Sequence, residues 1–565
     1  MALDVFRHRS SFRDPAVILL LTASATGVLC LSRKRLREEL FSHFWHIADL
    51  CLGLWPAVAD GIDDSGPAPE APELEDLGLR EGHSRPHLWG SGEVKKRRVA
   101  YKGGVSVEDE HDSRQRLPGK QKIFMKTYGC AHNSSDSEFM MGLLQDYGYT
   151  LTDSVQDADA LVVNSCTVKG PSQDSAVNLV KSAQGSGKPV VLAGCVPTAD
   201  ASLASSLAGV SMLGVTQLDR VVEVVERALE GNTVSLLNHR SSLPSLDLPK
   251  VRRNNFVEII PISGGCLGHC SYCKTKHARG SLLSYSEEAI VARALQAVSE
   301  GVSEVWLTSE DTGAYGIDVG TNIASLLGRV ADSLPDHVML KLGMTNPPYM
   351  LAHIDAVAEV LRRPNVFEYL HIPVQSGSDA VLRAMVREYS CSDFRRLVDG
   401  LRAQVPGLFV GTDVICGFPA ESEEDHQATL ALVQDYHFPM LNISQFYPRP
   451  GTPAARLKKL PGHVVKARST AAWPQRFCEP CSTRGWGMAA KEMTQLFESY
   501  ETWDHLVGRA ERVWFSETDQ KRQQTVGHTK GYAKVVVRRS DSLLGKSALV
   551  KIVHATKWHV EGELL

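Results

Sequence analysis

Cys266, Cys270 and Cys273 stand in a CxxxCxxC spacing, Cys266-Leu-Gly-His-Cys270-Ser-Tyr-Cys273. Thiolates hold iron–sulfur clusters, and a four-iron cluster normally takes four of them. Three leave one iron open to the amino and carboxylate groups of a substrate. Gly264, Gly265 and Gly268 permit the close turns that would bring three thiolates onto one cuboidal cluster. Zinc is the competing reading, but zinc sites favour paired CxxC or Cys/His units with four ligands. His269, wedged between two of the cysteines, is poorly placed to be that fourth ligand.

A second set, Cys130, Cys166 and Cys195, has no short-range motif, yet each residue ends an apolar run: KIFMKTYG, ALVVNS and PVVLAG. With helical stretches near 136–147 and 172–184 between them, the pattern over 121–230 is βαβαβ, a small parallel sheet. Carboxyl ends of parallel strands share one edge, where ligands bind. Three cysteines distant in sequence are therefore expected to converge there. Buried core cysteine is the plainer alternative, but three at successive strand ends favour metal ligation.

The CxxxCxxC triad needs a scaffold of its own. Six strand candidates follow Phe256 in an α/β series over 250–470: FVEIIPI, EVWLTS, VMLKLGM, FEYLHIPV, LFVGTDVI and MLNISQF. Six βα units suit an open, partial (βα)6 barrel rather than a closed eight-stranded one. Its chemistry belongs at the carboxyl edge, where Glu310, Asp311, Gln375, Ser376 and Asp413 are candidates to hold a polar cofactor. Helix capping or an internal hydrogen bond could equally occupy each of them. Arg279 could pair with a carboxylate or phosphate. Over 493–560, short alternating runs predict a small antiparallel β-barrel. Nine Lys or Arg between Lys521 and Lys557, against the single acid Asp541, with Tyr532 and Trp558 as aromatic faces, suit an RNA surface. A solvated basic face is the alternative. There is no internal repeat.

With 565 residues, two to four domains are expected, of α/β class overall. The net charge of −4 excludes a protein that is basic throughout, so nucleic-acid contact must be local. Twelve cysteines, six of them in these two groups, do not form a secreted disulfide framework. Residues 1–59 are a hydrophobic and basic segment. Within it, the uncharged run 15–31 lies at the short limit for a membrane span and is a candidate anchor, in the endoplasmic reticulum; a targeting peptide is the alternative. The basic cluster after it would keep the catalytic part cytosolic. Residues 60–120, proline-rich and charged, read as a disordered linker. Residues 471–492, with Cys478 and Cys481, form an insertion of uncertain status.

CxxxCxxC after the first strand of a partial barrel resembles the radical S-adenosylmethionine superfamily. CSYCKTKHARG (270–280), WLTSEDTGAYG (306–316), LGMTNPPY (342–349), HIPVQSGSD (371–379), DVICGFP (413–419) and QFYPRPGTPAA (445–455) are similar to the eukaryotic and archaeal threonylcarbamoyladenosine tRNA methylthiotransferases. The resemblance implies two 4Fe–4S clusters. Cys266, Cys270 and Cys273 would carry the one that cleaves S-adenosylmethionine, and Cys130, Cys166 and Cys195 an auxiliary one linked to the transferred sulfur. Glu310, Gln375 and Asp413 would contact S-adenosylmethionine, no acid or base being required. It further implies a TRAM-like RNA-binding barrel at 493–560, a tRNA anticodon loop as substrate, an electron-donor protein and a sulfur donor. A methylthiotransferase acting on a ribosomal protein side chain and a non-catalytic iron–sulfur RNA-binding protein are the alternatives.

Overall fold

The computed structural model describes residues 119–167, 170–469 and 492–565. The segment 1–59 with its apolar run 15–31, nearly all of the 60–120 linker, and the 471–492 insertion up to its last residue therefore lie outside the described residues. Among the described residues, no helix is long and apolar enough to cross a membrane.

The first sheet holds β1 (Lys122–Thr127), β2 (Thr150–Thr152), β3 (Ala160–Ser165), β4 (Val190–Gly194), β5 (Ser211–Gly214) and β6 (Ser235–Leu236) in the order β2-β1-β3-β4-β5-β6. All neighbours are parallel. The three expected strands are there, joined by α1 (Ala131–Tyr147) and α2 (Gly170–Gly185). β2, β5 and β6 are too short to stand out as apolar runs. β3 and β4 are buried along their whole length, as a parallel sheet covered on both faces requires. Strand order runs outward in opposite directions from the β1/β3 pair. Such a switch point opens a crevice at the carboxyl ends. Cys130 follows β1 and Cys166 follows β3, so two of the three cysteines flank that crevice. Cys195 follows β4 and opens the short helix α3 (Cys195–Ala199).

The second unit begins with β7 (Val257–Pro261). The short antiparallel pair β8 (Ser263–Gly264) and β9 (Leu283–Ser284) brackets the CxxxCxxC loop and the helix α4 (Thr275–Arg279). The remaining barrel strands are β10 (Glu304–Thr308), β11 (Met339–Leu342), β12 (Tyr369–His371), β13 (Phe409–Cys416) and β14 (Met440–Gln445). β11-β10-β7 and β12-β13-β14 are parallel triplets, joined by the parallel bridges Leu340↔Val366 and Met344↔His371. All six expected strands thus form one open, parallel half-barrel. Its outer helices start where side-chain caps dictate. Ser286 and Asn322 accept from backbone N–H groups three residues on, and Ser390 and Ser422 complete capping boxes.

The two units are joined by buried charge. Lys250 Nζ lies 3.2 Å from Glu138 on α1 and 2.9 Å from Glu258 on β7, and Arg293 reaches the same Glu258 at 3.1 Å. The helix α5 (Glu492–Ser499) packs Met493 and Phe497 into this main core.

Five strands close the C-terminal barrel: β15 (Ala510–Asp519), β16 (Gln524–Thr529), β17 (Lys534–Arg538), β18 (Lys546–Ala555) and β19 (Val560–Leu564), ordered β15-β16-β17-β19-β18. It departs from the antiparallel expectation at one pairing: β18 leaves β17 to pair with β15, so β19 returns beside β17 in the same direction. The aromatic expectation is corrected as well. Tyr532 does not present a free face to RNA. Its ring lies against Tyr369 at 4.5 Å and Phe367 at 5.0 Å, so it docks the small barrel onto the half-barrel. Lys530 is spent in the same way, donating at 2.9 Å to the carbonyls of Leu361, Arg363 and Val366. Trp558 remains exposed.

Candidate active site

A cavity of about 710 Å³ opens between the carboxyl edges of the first sheet and the half-barrel. Cys130, Cys166, Cys266, Cys270 and Cys273 all line it. Cys195 sits just behind, packed with Ala199, Val215 and Ala278. All six are free thiols.

The loop of each triad is shaped for close approach. Gly129 has φ +108°, and a Cβ there would fall 2.5 Å from Cys166 Cβ and 2.8 Å from its Sγ, so only glycine lets the Cys130 loop meet Cys166. Across the cavity, Gly268 lies beside both Cys266 and Cys270, and a Cβ there would make only ordinary contact, 3.8 Å from either Sγ.

The donor set round Cys266, Cys270 and Cys273 is compatible with an iron–sulfur cluster, because each sulfur faces an N–H donor. The Gly268 amide serves Cys266, Arg387 Nη1 donates to Cys270 Sγ at 3.1 Å, and the Thr275 amide donates to Cys273 Sγ at 3.3 Å. Such donors stabilise thiolate and tune cluster potential. Burial raises the pKa of Cys266 and Cys270 in this loop. Burial, then Asp311, pushes Cys266 up to about 12. Cys130, although it opens onto the cavity, is pushed up to about 12 by the surrounding protein and then Glu310, and burial raises Cys195 well above its usual value. Iron binding would displace the thiol protons. Among the described residues, no three His, Cys, Asp or Glu side chains gather as they would round a single ion. A four-iron cluster, with each thiolate on a separate iron, asks for a wider arrangement. His269 lies on the exposed side, 2.9 Å from Lys276.

Of the five polar candidates, Glu310, Asp311, Gln375 and Asp413 line the cavity in different surroundings, whereas Ser376 is buried behind it, 3.3 Å from Thr429 Oγ1. Glu310 lies between Arg279 Nε (2.8 Å) and His132 Nδ1 (3.3 Å). Burial would raise its pKa, but the Arg279 charge and the His132 hydrogen bond outweigh it and hold the carboxylate ionised. Arg279 meets its expected carboxylate in Asp136 as well, at 2.6 Å. Asp413 Oδ1 accepts from Asn442 Nδ2 at 2.7 Å and lies 2.9 Å from His371 Nε2. Gln375 has φ +66° and is pinned by backbone bonds to Asp413 and Ile415.

A profile of the Radical SAM superfamily matches residues 260–433, and one of Uncharacterized protein family UPF0004 matches residues 122–213. Proteins named threonylcarbamoyladenosine tRNA methylthiotransferase align along most of the chain. That of Xenopus laevis is 46% identical, covering 90% of this chain and 87% of its own. That of Drosophila melanogaster is 48% identical over 80% and 78%, and that of Homo sapiens 45% over 83% and 78%. The chain belongs to the threonylcarbamoyladenosine tRNA methylthiotransferase family. It is an enzyme that transfers a sulfur-containing group, using iron–sulfur and S-adenosylmethionine chemistry. A solved radical S-adenosylmethionine methyltransferase, TsrM from Kitasatospora setae, aligns with a TM-score of 0.44 at 16% identity, over 60% of this chain and 75% of that one.

Two polar residues of this methylthiotransferase cavity, Arg387 and Lys341, lie outside the motifs. Arg387 stands in MVREYS with nothing to mark it, yet it reaches Cys270, Asn346 and Tyr389. Asn346 in turn donates to Asp311 Oδ2 at 2.6 Å. Lys341 did leave a sign, as the lone charge in the apolar strand VMLKLGM. Its ammonium lies over the rings of Trp306 (4.1 Å), Tyr532 (4.2 Å) and Tyr369 (4.7 Å).

Proposed function

We propose that this chain converts N6-threonylcarbamoyladenosine, next to the anticodon of a tRNA, to its 2-methylthio derivative, with one 4Fe–4S cluster on each cysteine triad. The observation that carries this reading is the single cavity lined by Cys130 and Cys166 on one side and by Cys266, Cys270 and Cys273 on the other. When bound, the clusters supply one-electron cleavage of S-adenosylmethionine and the sulfur that is transferred. The chain's own residues bind, orient and exclude water. The donors to Cys266, Cys270 and Cys273 hold the thiolates, while Asp413, Gln375 and Glu310 offer polar groups to the cofactor. The docked C-terminal barrel backs the cavity wall, its Tyr532 packing against Lys341 and Tyr369, the half-barrel residues that line it. A base modified in a folded anticodon loop is splayed from its stack, which suits enclosure of one ring. Exposed Trp558 and the remaining basic residues of the small barrel would track the RNA.

An electron-donor protein is required as partner. The run 15–31 is the segment by which the chain would meet a membrane, with the catalytic part cytosolic; fractionation of a chain lacking residues 1–59 tests that.

The deciding experiment is iron and sulfide quantitation on anaerobically reconstituted protein, with nucleoside analysis of tRNA from a deletion strain. About eight irons per chain and loss of the methylthio nucleoside are expected. About four irons with no S-adenosylmethionine cleavage, or unchanged nucleoside levels, would refute the proposal.

A further inference from the structure

We infer that Asn133 and Arg279 are positioning residues that lock the two cysteine triads against each other. Arg279 thereby keeps cleavage of S-adenosylmethionine coupled to sulfur insertion. The inference rests on the proposal that each triad holds a cluster.

Asn133 lies in the first turn of α1, three residues after Cys130. Its Nδ2 donates to Tyr128 O at 2.9 Å, just before Cys130, and to Ser165 O at 3.0 Å, just before Cys166. Its Oδ1 lies 3.6 Å from Cys195 Sγ. One amide therefore touches the loops of all three cysteines of the first triad. The same Oδ1 accepts from Arg279 Nη2 at 2.7 Å.

Arg279 belongs to the other triad. It is the last residue of α4, six positions after Cys273, and it is 6% exposed. Besides Asn133 it holds Asp136 Oδ2 at 2.6 Å and Glu310 at 2.8 Å. A parallel strap runs beside it: Lys274, next to Cys273, donates to Ala199 O at 2.6 Å, at the end of the helix that Cys195 opens. Both straps start in the loop of Cys266, Cys270 and Cys273 and end on elements of the other triad.

The chemistry of the two residues suits this use. The amide of Asn133 offers a donor face to two carbonyls and an acceptor to a cation at once; a carboxylate there would repel both carbonyls. The guanidinium of Arg279 spreads one charge over two edges, Nη2 donating to Asn133 and Asp136 while Nε pairs with Glu310, which a compact lysine ammonium cannot reproduce. Buried charges held this way are costly to leave unpaired. Sulfur insertion demands near-contact between the activated carbon and the sulfur, and about 1 Å of misplacement can cost on the order of 100-fold in rate. Each reductive cleavage consumes one electron and one S-adenosylmethionine and releases methionine. The deoxyadenosyl radical becomes 5′-deoxyadenosine by taking a hydrogen atom from the nucleoside when sulfur is inserted, and otherwise by taking a second electron from the reductant and a proton from water. Loosened straps would thus waste the cofactor rather than stop its cleavage.

The test uses the reconstituted full chain, tRNA bearing the unmethylthiolated nucleoside and a chemical one-electron reductant. Wild type, R279Q, R279K and N133D are compared for iron content, for 5′-deoxyadenosine released per product nucleoside, and for the interspin distance between the two reduced clusters by pulsed EPR. R279Q and R279K are expected to keep about eight irons. They should still cleave S-adenosylmethionine, while the deoxyadenosine-to-product ratio rises roughly tenfold and the interspin distribution broadens. N133D is expected to fall to about four irons, losing the first triad's cluster. An unchanged ratio and distance distribution in both Arg279 variants overturns the inference. So does parallel loss of cleavage and product in R279K, which would make Arg279 a folding residue only. A wild type that never holds two clusters instead sinks the reading beneath it.

Discussion

Arg387 places Nη1 3.1 Å from the Sγ of Cys270, and Arg387 also donates to Asn346 Oδ1. A buried cation on a thiolate sulfur stabilises the more negative, reduced cluster. In R387L the reduction potential of the Cys266–Cys270–Cys273 cluster should therefore fall, with 5′-deoxyadenosine formation dropping at least tenfold under a fixed reductant. An EPR-monitored redox titration reads the potential directly. An unchanged midpoint would mean the guanidinium serves Asn346 and Asp311 alone.

The triads should separate by function when cysteines are replaced one at a time. C266A is expected to hold about four irons and release no deoxyadenosine, whereas C166A should also hold about four but still cleave S-adenosylmethionine without product. Chromatographic assay of both nucleosides distinguishes the cases. Loss of cleavage in C166A would show that the two triads do not act separately.

Much of this site could be read from residue order. The CxxxCxxC loop is local, so its spacing alone carried the cluster reading. Cys130, Cys166 and Cys195 were legible only through topology, because a parallel sheet gathers strand ends whatever their sequence distance. The half-barrel was legible because six runs of buried strand alternate with capped helices. The strands β2 and β6, of three and two residues, hold too few side chains to leave a periodic signal. Tyr532 was misread because a tyrosine amid basic residues has the composition of an RNA surface, while docking against Phe367 and Tyr369 depends on a partner over 160 residues away. Arg387 was missed for a similar reason: its partners Cys270 and Asn346 come from two other loops, 117 and 41 residues away.

The same loop holds a strained residue. Val386 has φ +55°, ending the helix Asp379–Ala384 in a Schellman turn: Arg387 N bonds Leu382 O and Val386 N bonds Arg383 O, each at 2.9 Å. Glycine normally fills that left-handed position, and a β-branched side chain there costs about 1–2 kcal/mol. Val386 is 48% exposed, so little packing offsets the strain. V386G should stabilise the protein by roughly 1 kcal/mol, since glycine's extra backbone entropy returns part of the gain. A urea midpoint that falls instead would show that Val386 makes contacts worth more than its strain.

Lys341 gives the molecule an alkaline signature. Burial among Trp306, Tyr369 and Tyr532, only partly offset by Glu304, lowers its pKa to about 8. In the unfolded chain the same ammonium titrates near its usual value of about 10.4. Between those values the unfolded state holds a proton that the folded state lacks, so raising the pH favours folding. The cost of burying this charge is fully present below pH 8 and fades above it. Stability should therefore rise from pH 8 to about 9.5 by up to about 1.4 kcal/mol per pH unit from this residue, before tyrosines begin to titrate. K341M should be more stable than wild type at pH 7.5 and should lack that slope, as urea unfolding at the two pH values would register. Parallel curves for the two proteins would mean the ammonium keeps its proton, held by the ring faces and Glu304 strongly enough to outweigh its desolvation.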